Sequence, residues 1–367
     1  MPLALYLVAF IGAALAAAAL QRRRRAAMLP PGPPGDPLIG HLLRMPSTDP
    51  ALVFHQWAKI YGPIMHLKVL GRSMIILDSY QAAVDLLDKR GLIYSDRPKF
   101  TLYELFGWMP VLGFARYGSK TLGIQRQMHQ SYLGRHRIAD FKPMQTHEAR
   151  SLVQNLFESP PAQYEKLMSR FSSGIITQIV AGHRITSDDD PYIQISNEIY
   201  DAFAKTGLPG SSPLDLFPLC GATLSALVSR SGAYAFCESR SVCNPRAMGI
   251  PSAHGQGATG ECSAVGEALP CFIRDQLEQM EDSEDEEQLK GAAANIFAAG
   301  ELTTWSALTI FVIAMVLHPE SQAKAQKEID LVVGDMRLPE FLDREHLPFV
   351  EGILQETLRW LPSVPMG

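Results

Sequence analysis

A mainly α-helical chain with one small early β-sheet and an N-terminal transmembrane helix is the fold class that this sequence predicts, and three observations predict it. Residues 2–20 carry no charge and are followed by Arg22, Arg23, Arg24 and Arg25. Strand-length runs rich in apolar and β-branched residues are confined to positions 64–77. Beyond Pro143 the pattern is mostly helical, and it closes in three consecutive helices between 281 and 361.

The apolar stretch comes first. Nineteen residues at a rise of ~1.5 Å each match the ~30 Å hydrocarbon thickness of a bilayer. A cleaved secretory signal carries its positive charge ahead of the apolar stretch. Here the arginines follow it, which by the positive-inside rule leaves the bulk of the chain in the cytosol. Residues 1–25 are therefore expected to be a single-pass anchor. Residues 26–45 form a hinge whose five prolines between Pro30 and Pro37 fix the backbone and hold it stiff and extended. The remainder, 46–367, is read as one globular domain. The chain has 367 residues, 47% of them hydrophobic, enough for a substantial buried core.

Net charge is −5, with no basic stripe downstream of residue 25, so nucleic acid is excluded as an expected partner and small molecules or lipids are favoured. All five cysteines lie between Cys220 and Cys271 without a C-x-x-C pair. That argues against a disulfide framework or a structural zinc and fits a reducing, cytosolic location.

The runs Ile64 to Leu70 and Ser73 to Leu77 meet at Gly71-Arg72 and read as a hairpin. A short helix is expected next, with Ala83, Val84 and Leu87 on one face and Gly91 as its stop. Helical patterns then cover 149–157, 164–180 and 192–203. From Val228 to Pro270 the sequence is dominated by Ser, Gly, Ala and Cys without apolar periodicity. Such a stretch is either a long flexible loop or a segment foreign to the ancestral fold, and composition is compatible with both. Its Gly255-Gln256-Gly257-Ala258-Thr259-Gly260 matches G-x-G-x-x-G formally. A dinucleotide site also requires a preceding strand and a helix opening at the last glycine, and neither pattern is present.

Acidic residues from Glu281, with Ser283 and Glu286 at capping-box spacing, open a long helix that runs to about Leu317. A second helix starts at Pro319 and stops at Gly334, and a third runs from Pro348 to Leu361 with Val350, Leu354, Leu358 and Leu361 in one stripe. The long helix is apolar on nearly every side around residues 292–304, which suits a central position in a large domain; residues 302–317 alone would also suit a second membrane span. Ala298, Ala299 and Gly300 admit a flat or bulky group against the backbone, and the hydroxyls after them can bond at that surface. Glu356 and Arg359, at i and i+3, sit together away from the stripe.

The order of these features resembles the cytochrome P-450 superfamily, particularly its microsomal fungal members. The resemblance rests on the anchor, a Pro-Pro-Gly-Pro hinge before Pro37-Leu38-Ile39-Gly40, Tyr61-Gly62-Pro63-Ile64, and Tyr94-Ser95-Asp96-Arg97-Pro98. It continues with Ala299-Gly300 followed by Thr303-Thr304, His318-Pro319-Glu320, Leu347-Pro348-Phe349-Val350, and Glu356-Thr357-Leu358-Arg359. It implies the P-450 fold, a heme-thiolate monooxygenase in the endoplasmic reticulum membrane facing the cytosol, and an apolar small-molecule substrate. Electrons would come from NADPH through a partner reductase. It also implies that the long helix crosses a heme, with Ala299 and Gly300 against the cofactor. Thr303, with Glu301 as the nearby acid, would serve dioxygen activation by proton delivery. Glu356 and Arg359 would form a structural core pair.

Three positions depart from the family pattern. Leu302 stands where an acid usually precedes the threonine, and Glu301 is one residue earlier, about 100° round the helix. Tyr117-Gly118 is followed by Thr121 and Gln125 where the family tends to place Trp and Arg for the heme propionates, which leaves Arg126 as the substitute cation. The family's ligand motif, F-x-x-G-x-R-x-C-x-G, lies several dozen residues after E-x-x-R, whereas this sequence stops eight residues after Arg359 and has no cysteine beyond Cys271. No residue is therefore assigned as metal ligand, and the sequence is expected to be a fragment without activity, the thiolate being what favours O–O cleavage. The alternative is a noncatalytic, membrane-tethered binding or scaffold protein that holds no heme.

Overall fold

The computed structural model describes residues 28–46, 48–98, 111–197, 270–280 and 286–365. The apolar stretch 2–20, its arginines, the glycine motif at 255–260 and nearly all of 228–270 lie outside the described residues. The chain divides into two compact units, one ending at Asp96 and the other starting at Arg97. Among the described residues the structure is mainly helical, with a single two-stranded sheet.

The first unit is built on helix α1 (Pro50–Tyr61) and the antiparallel pair β1 (Ile64–Val69) and β2 (Arg72–Leu77). Pro50 opens α1 where its missing N–H costs nothing, and Gly62 ends it at φ +102°. β1 buries alternate residues, Met65, Leu67 and Val69, and Phe54 of α1 packs with Met65 and Leu67. The register pairs Ile64 with Leu77 and Val69 with Arg72. The turn residues are thus Leu70 and Gly71, one position before the expected Gly71-Arg72, with φ of +47° and +89°. A two-residue turn that matches the strand twist requires positive φ at both positions, and the hairpin accepts it even at a leucine.

The hinge lies on this hairpin. His66 N–H donates to Pro31 O (2.9 Å), His41 N–H to Lys68 O (2.6 Å) and Leu70 N–H to Ile39 O (3.1 Å). The buried His41 ring closes the arrangement: Nδ1 accepts from Lys68 N–H (2.8 Å), so Nε2 carries the proton and donates to Pro33 O (2.7 Å). Gly40 has φ +66°, and a Cβ there would stand 2.0 Å from Lys68 O. Only glycine lets the hinge come this close to β1.

The short helix that follows differs from expectation. Tyr80–Ala83 is capped by Ser79, whose Oγ accepts from Ala82 N–H (3.1 Å), and passes into a wider π turn over Val84–Asp88. The π turn resets the angular spacing, so Ala82 is the buried residue and Leu87 is exposed. Gly91 opens the next turn, Gly91–Tyr94.

The second unit contains α2 (Lys120–Leu133), α3 (Ile138–Glu158), α4 (Tyr164–Ala181), a helical stretch at 191–197, α5 (Phe272–Gln279), α6 (Glu286–Leu317), α7 (Pro319–Val332) and α8 (Pro348–Trp360). α3 begins five residues before Pro143, close enough to its start that the proline removes few helix bonds. The core gathers α2, α4, α5 and the first half of α6, with Phe272, Phe297, Leu289, Ala292 and Ala293 at 0–1% exposure. α6 is long and apolar enough to cross a membrane by length and composition. Its contacts with α2, α4 and α5 make it the central helix of this core. Glu328 of α7 accepts from the free N–H groups of Phe349 (3.0 Å) and Val350 (3.0 Å) and so starts α8. On α8 the structure buries Thr357, and half-buries Val350 and Ile353, rather than the whole expected stripe; Leu354, Leu358 and Leu361 stay about half exposed.

Candidate functional site

The middle of α6 presents its small and polar residues on different faces. Ala298 is buried in the core and Gly300 faces α4, where a Cβ would meet Ile176 Cδ1 at 2.4 Å. Gly300 therefore serves close helix packing. Ala299 is exposed, and Thr303 one turn later shares its side; the Thr303 hydroxyl donates to Ala299 O (2.7 Å). Thr304 makes the same back-bond to Gly300 O (2.7 Å) on the next face. One turn before Ala299, Asn295 Oδ1 accepts from Gly113 N–H (3.2 Å), and Ser363 Oγ donates to Thr303 O (3.2 Å). Exposed Ala299 and half-buried Thr303 thus share one side of the helix, held at Asn295 and at Thr303.

Glu301 points elsewhere. It is 6% exposed and accepts from Ser173 Oγ of α4 at 3.3 Å. Burial pushes its pKa up to about 7, against hydrogen bonds from Ser173 and Ser169 that favour the charged form. Two residues on a helix are ~200° apart, so the structure does not bring Glu301 to Thr303. The seam that holds it was missed in the sequence. Its signal was available as an acid inside an apolar helix, which requires polar partners, and serines at i and i+4 on a neighbouring helix.

Arg126 is exposed on α2. The side of α2 that packs on α6 carries Gln125, which donates to Gln288 Oε1 (3.3 Å), and His129, whose ring bonds Ala292 O (3.0 Å) and whose pKa burial lowers. The structure accordingly places a neutral amide and a neutral imidazole at that seam. Arg359 and Glu356 form a bidentate pair on α8 with both side chains more than half exposed. Among the described residues this pair does not lock the core, and solvent screening leaves an exposed pair with little effect on stability. Cys271 is buried beside Phe272 and caps α5; the other four cysteines lie outside the described residues. No cluster of metal-ligating side chains occurs among the described residues. A groove of about 450 Å³ lies apart from α6, lined by α3, the turn Phe341–His346 and α8, and rimmed by the pairs Arg150–Glu340 and Arg344–Glu351.

The sequence profile described as Cytochrome P450 matches residues 30–240 and 253–367. The chain belongs to the cytochrome P450 family. Curated relatives agree. "Cytochrome P450 monooxygenase 136" of Postia placenta is 34% identical over 100% of this chain and 69% of its own length. "Cytochrome P450 monooxygenase COX2" of Coprinopsis cinerea is 34% identical over 92% of this chain and 64% of its own, and "Cytochrome P450 monooxygenase ARMGADRAFT_974139" of Armillaria gallica is 33% identical over 92% and 67%. The chain spans about two thirds of the length of the P450 relatives it matches. The P450 profile skips residues 241–252, inside the Ser/Gly/Ala/Cys-rich stretch. Family membership implies heme. The open side of α6 fits a flat group, because Ala299 leaves room and Thr303 sets a hydroxyl beside it. The inner side of α2 offers that group no cation, so any charge partner comes from an exposed side chain such as Arg126 or from outside the described residues.

Proposed function

We propose that the chain is part of a heme-dependent monooxygenase of an apolar small molecule, with none of its own residues assigned as the iron ligand, anchored through residues 1–25 in the endoplasmic reticulum membrane with its globular part in the cytosol, and supplied with electrons from NADPH by a partner reductase. The observation that carries the catalytic half is the side of α6 shared by exposed Ala299 and half-buried Thr303, next to the half of the helix that is sunk in the core. A bound heme would supply the activation of O2 there. The chain's own residues do the remaining work. Ala299 keeps the surface flat, and the Thr303 hydroxyl, which donates to Ala299 O, retains lone pairs to accept a proton-bearing partner and can turn to donate. The Gly300–Ile176 contact fixes the rotation of α6 about its axis, so the Ala299–Thr303 side keeps facing away from α4.

Hemin titration tests the site. Ala299→Phe is expected to weaken uptake, read as Soret absorbance, by at least about tenfold while far-UV circular dichroism stays unchanged; equal uptake by parent and variant would refute the assignment. The anchor is tested separately. The chain without residues 1–25 is expected to leave the membrane pellet after carbonate extraction, and retention there would assign the membrane contact to another segment.

A further inference from the structure

Three elements are joined through Ser173 beside Glu301. α6 brings the carboxyl, α4 brings Ser169 and Ser173, and the helical stretch at 191–197 brings Ser196. Ser173 Oγ stands 3.3 Å from Glu301 Oε1 and 3.1 Å from Ser196 Oγ, so one hydroxyl bridges the acid to a second hydroxyl on the third element. Glu301, Ser173 and Ser196 are 6%, 1% and 3% exposed. One turn along α4, the fully buried Thr177 Oγ1 has no hydrogen-bond partner among the described residues. The charged groups on the elements packed here are engaged elsewhere. Lys166 and Arg170 of α4 hold Asp188 (2.7 and 3.1 Å), Glu148 of α3 accepts from Gln178 (2.6 Å), and Asp190 holds His183 (2.8 Å) while capping the 191–197 stretch through Tyr192 N–H (3.0 Å). Glu165 of α4 is exposed.

A carboxylate buried among hydroxyls without a cation is costly, whereas a neutral carboxyl can both accept from and donate to them. We propose that protonated Glu301 is a latch that holds α6, α4 and the 191–197 stretch together, and that losing its proton loosens the 191–197 stretch from α4. The latch lies on the side of α6 away from Thr303 and does not depend on heme. Burial raises the folded-state pKa from 4.5 to about 7. The latch is therefore fully effective below pH ~4.5, weakens as pH rises through that interval, and is lost above about 7.

Native hydrogen exchange of the full chain at pH 5.5 and 8.5, corrected for intrinsic chemistry, tests this. Amides of 172–180 and 191–197 are expected to exchange on the order of tenfold faster at the higher pH. Glu301→Gln is expected to remove that dependence, and infrared difference spectra should show a protonated carboxyl titrating with the same midpoint in the parent only. Ser173→Ala removes a bond that favours the charged form, so its midpoint is expected to move to higher pH. This second variant keeps the test open if Glu301→Gln does not fold. A flat parent profile, a pH dependence that survives in Glu301→Gln, or a Ser173→Ala midpoint that stays or falls would each overturn the latch.

Discussion

Phe297→Ala is expected to destabilise the second unit by about 3–5 kcal/mol. Phe297 is 1% exposed and stands in the core cluster with Phe272, Leu289 and Ala293. Its ring also meets Tyr192 with centroids 6.3 Å apart, which ties α6 to the 191–197 stretch. Truncation leaves a cavity between two helices whose positions are already set by the Gly300–Ile176 contact, so the walls cannot easily collapse. A loss of that size is a large share of the ~5–15 kcal/mol that stabilises a whole protein. Leu358→Ala is the matched control: Leu358 is 51% exposed on α8, and its removal is expected to cost under about 1 kcal/mol. Urea melts of both variants check the pair, and equal shifts would mean that α6 is not the central helix.

Thr303→Ala is expected to leave the fold intact and strike the reaction. Its hydroxyl only back-bonds to Ala299 O, a carbonyl that the helix itself can satisfy, so the melting curve is expected to move within about 0.5 kcal/mol. Under the proposed function, a positioned hydroxyl that assists proton transfer is worth about 100-fold. In a form of the chain extended by a family-type carboxy-terminal segment with its cysteine, product formation is expected to fall by roughly that factor while NADPH consumption with a reductase continues. Thr303→Ser is expected to restore most of the coupling. Thr304→Ala, on the adjacent face against Gly300 O, is expected to change it little. Parallel assays of NADPH and product separate these outcomes, and a tightly coupled Thr303→Ala enzyme would remove Thr303 from the proton path.

Helix period and punctuation made α4, α6, α7 and α8 legible from sequence. Pro319, Pro348 and Gly334 stand at real ends, because a proline at the first helical position and a glycine at positive φ act locally. Faces were legible only where burial follows period alone. The short helix after β2 lost its expected face to a π turn, and α8 lost part of its stripe because Thr357, not Leu358, turns inward. At the site, the sequence brought Ala299, Gly300, Glu301 and Thr303 together as one group, yet the helix distributes them over three directions. Exposed Ala299 and half-buried Thr303 share one side, Gly300 meets Ile176, and Glu301 meets Ser173. Proximity along a helix says nothing about shared direction until the neighbouring helix is known, and α4 lies more than a hundred residues earlier. The pairing of Glu356 with Arg359, exposed and away from the apolar stripe, followed from spacing, whereas the structural core role came from the resemblance alone.

The docking of the hinge on β1 sets a reach. Pro31 is already bonded to His66, and His41 clasps Pro33 and Lys68. With residues 1–25 in the bilayer, as proposed, the leash that remains is the six steps from Arg25 to Pro31. Even fully stretched, six residues extend only about 20 Å. The hairpin is therefore confined to a shell next to the lipid headgroups, which leaves only a short path for an apolar molecule that comes out of the hydrocarbon layer.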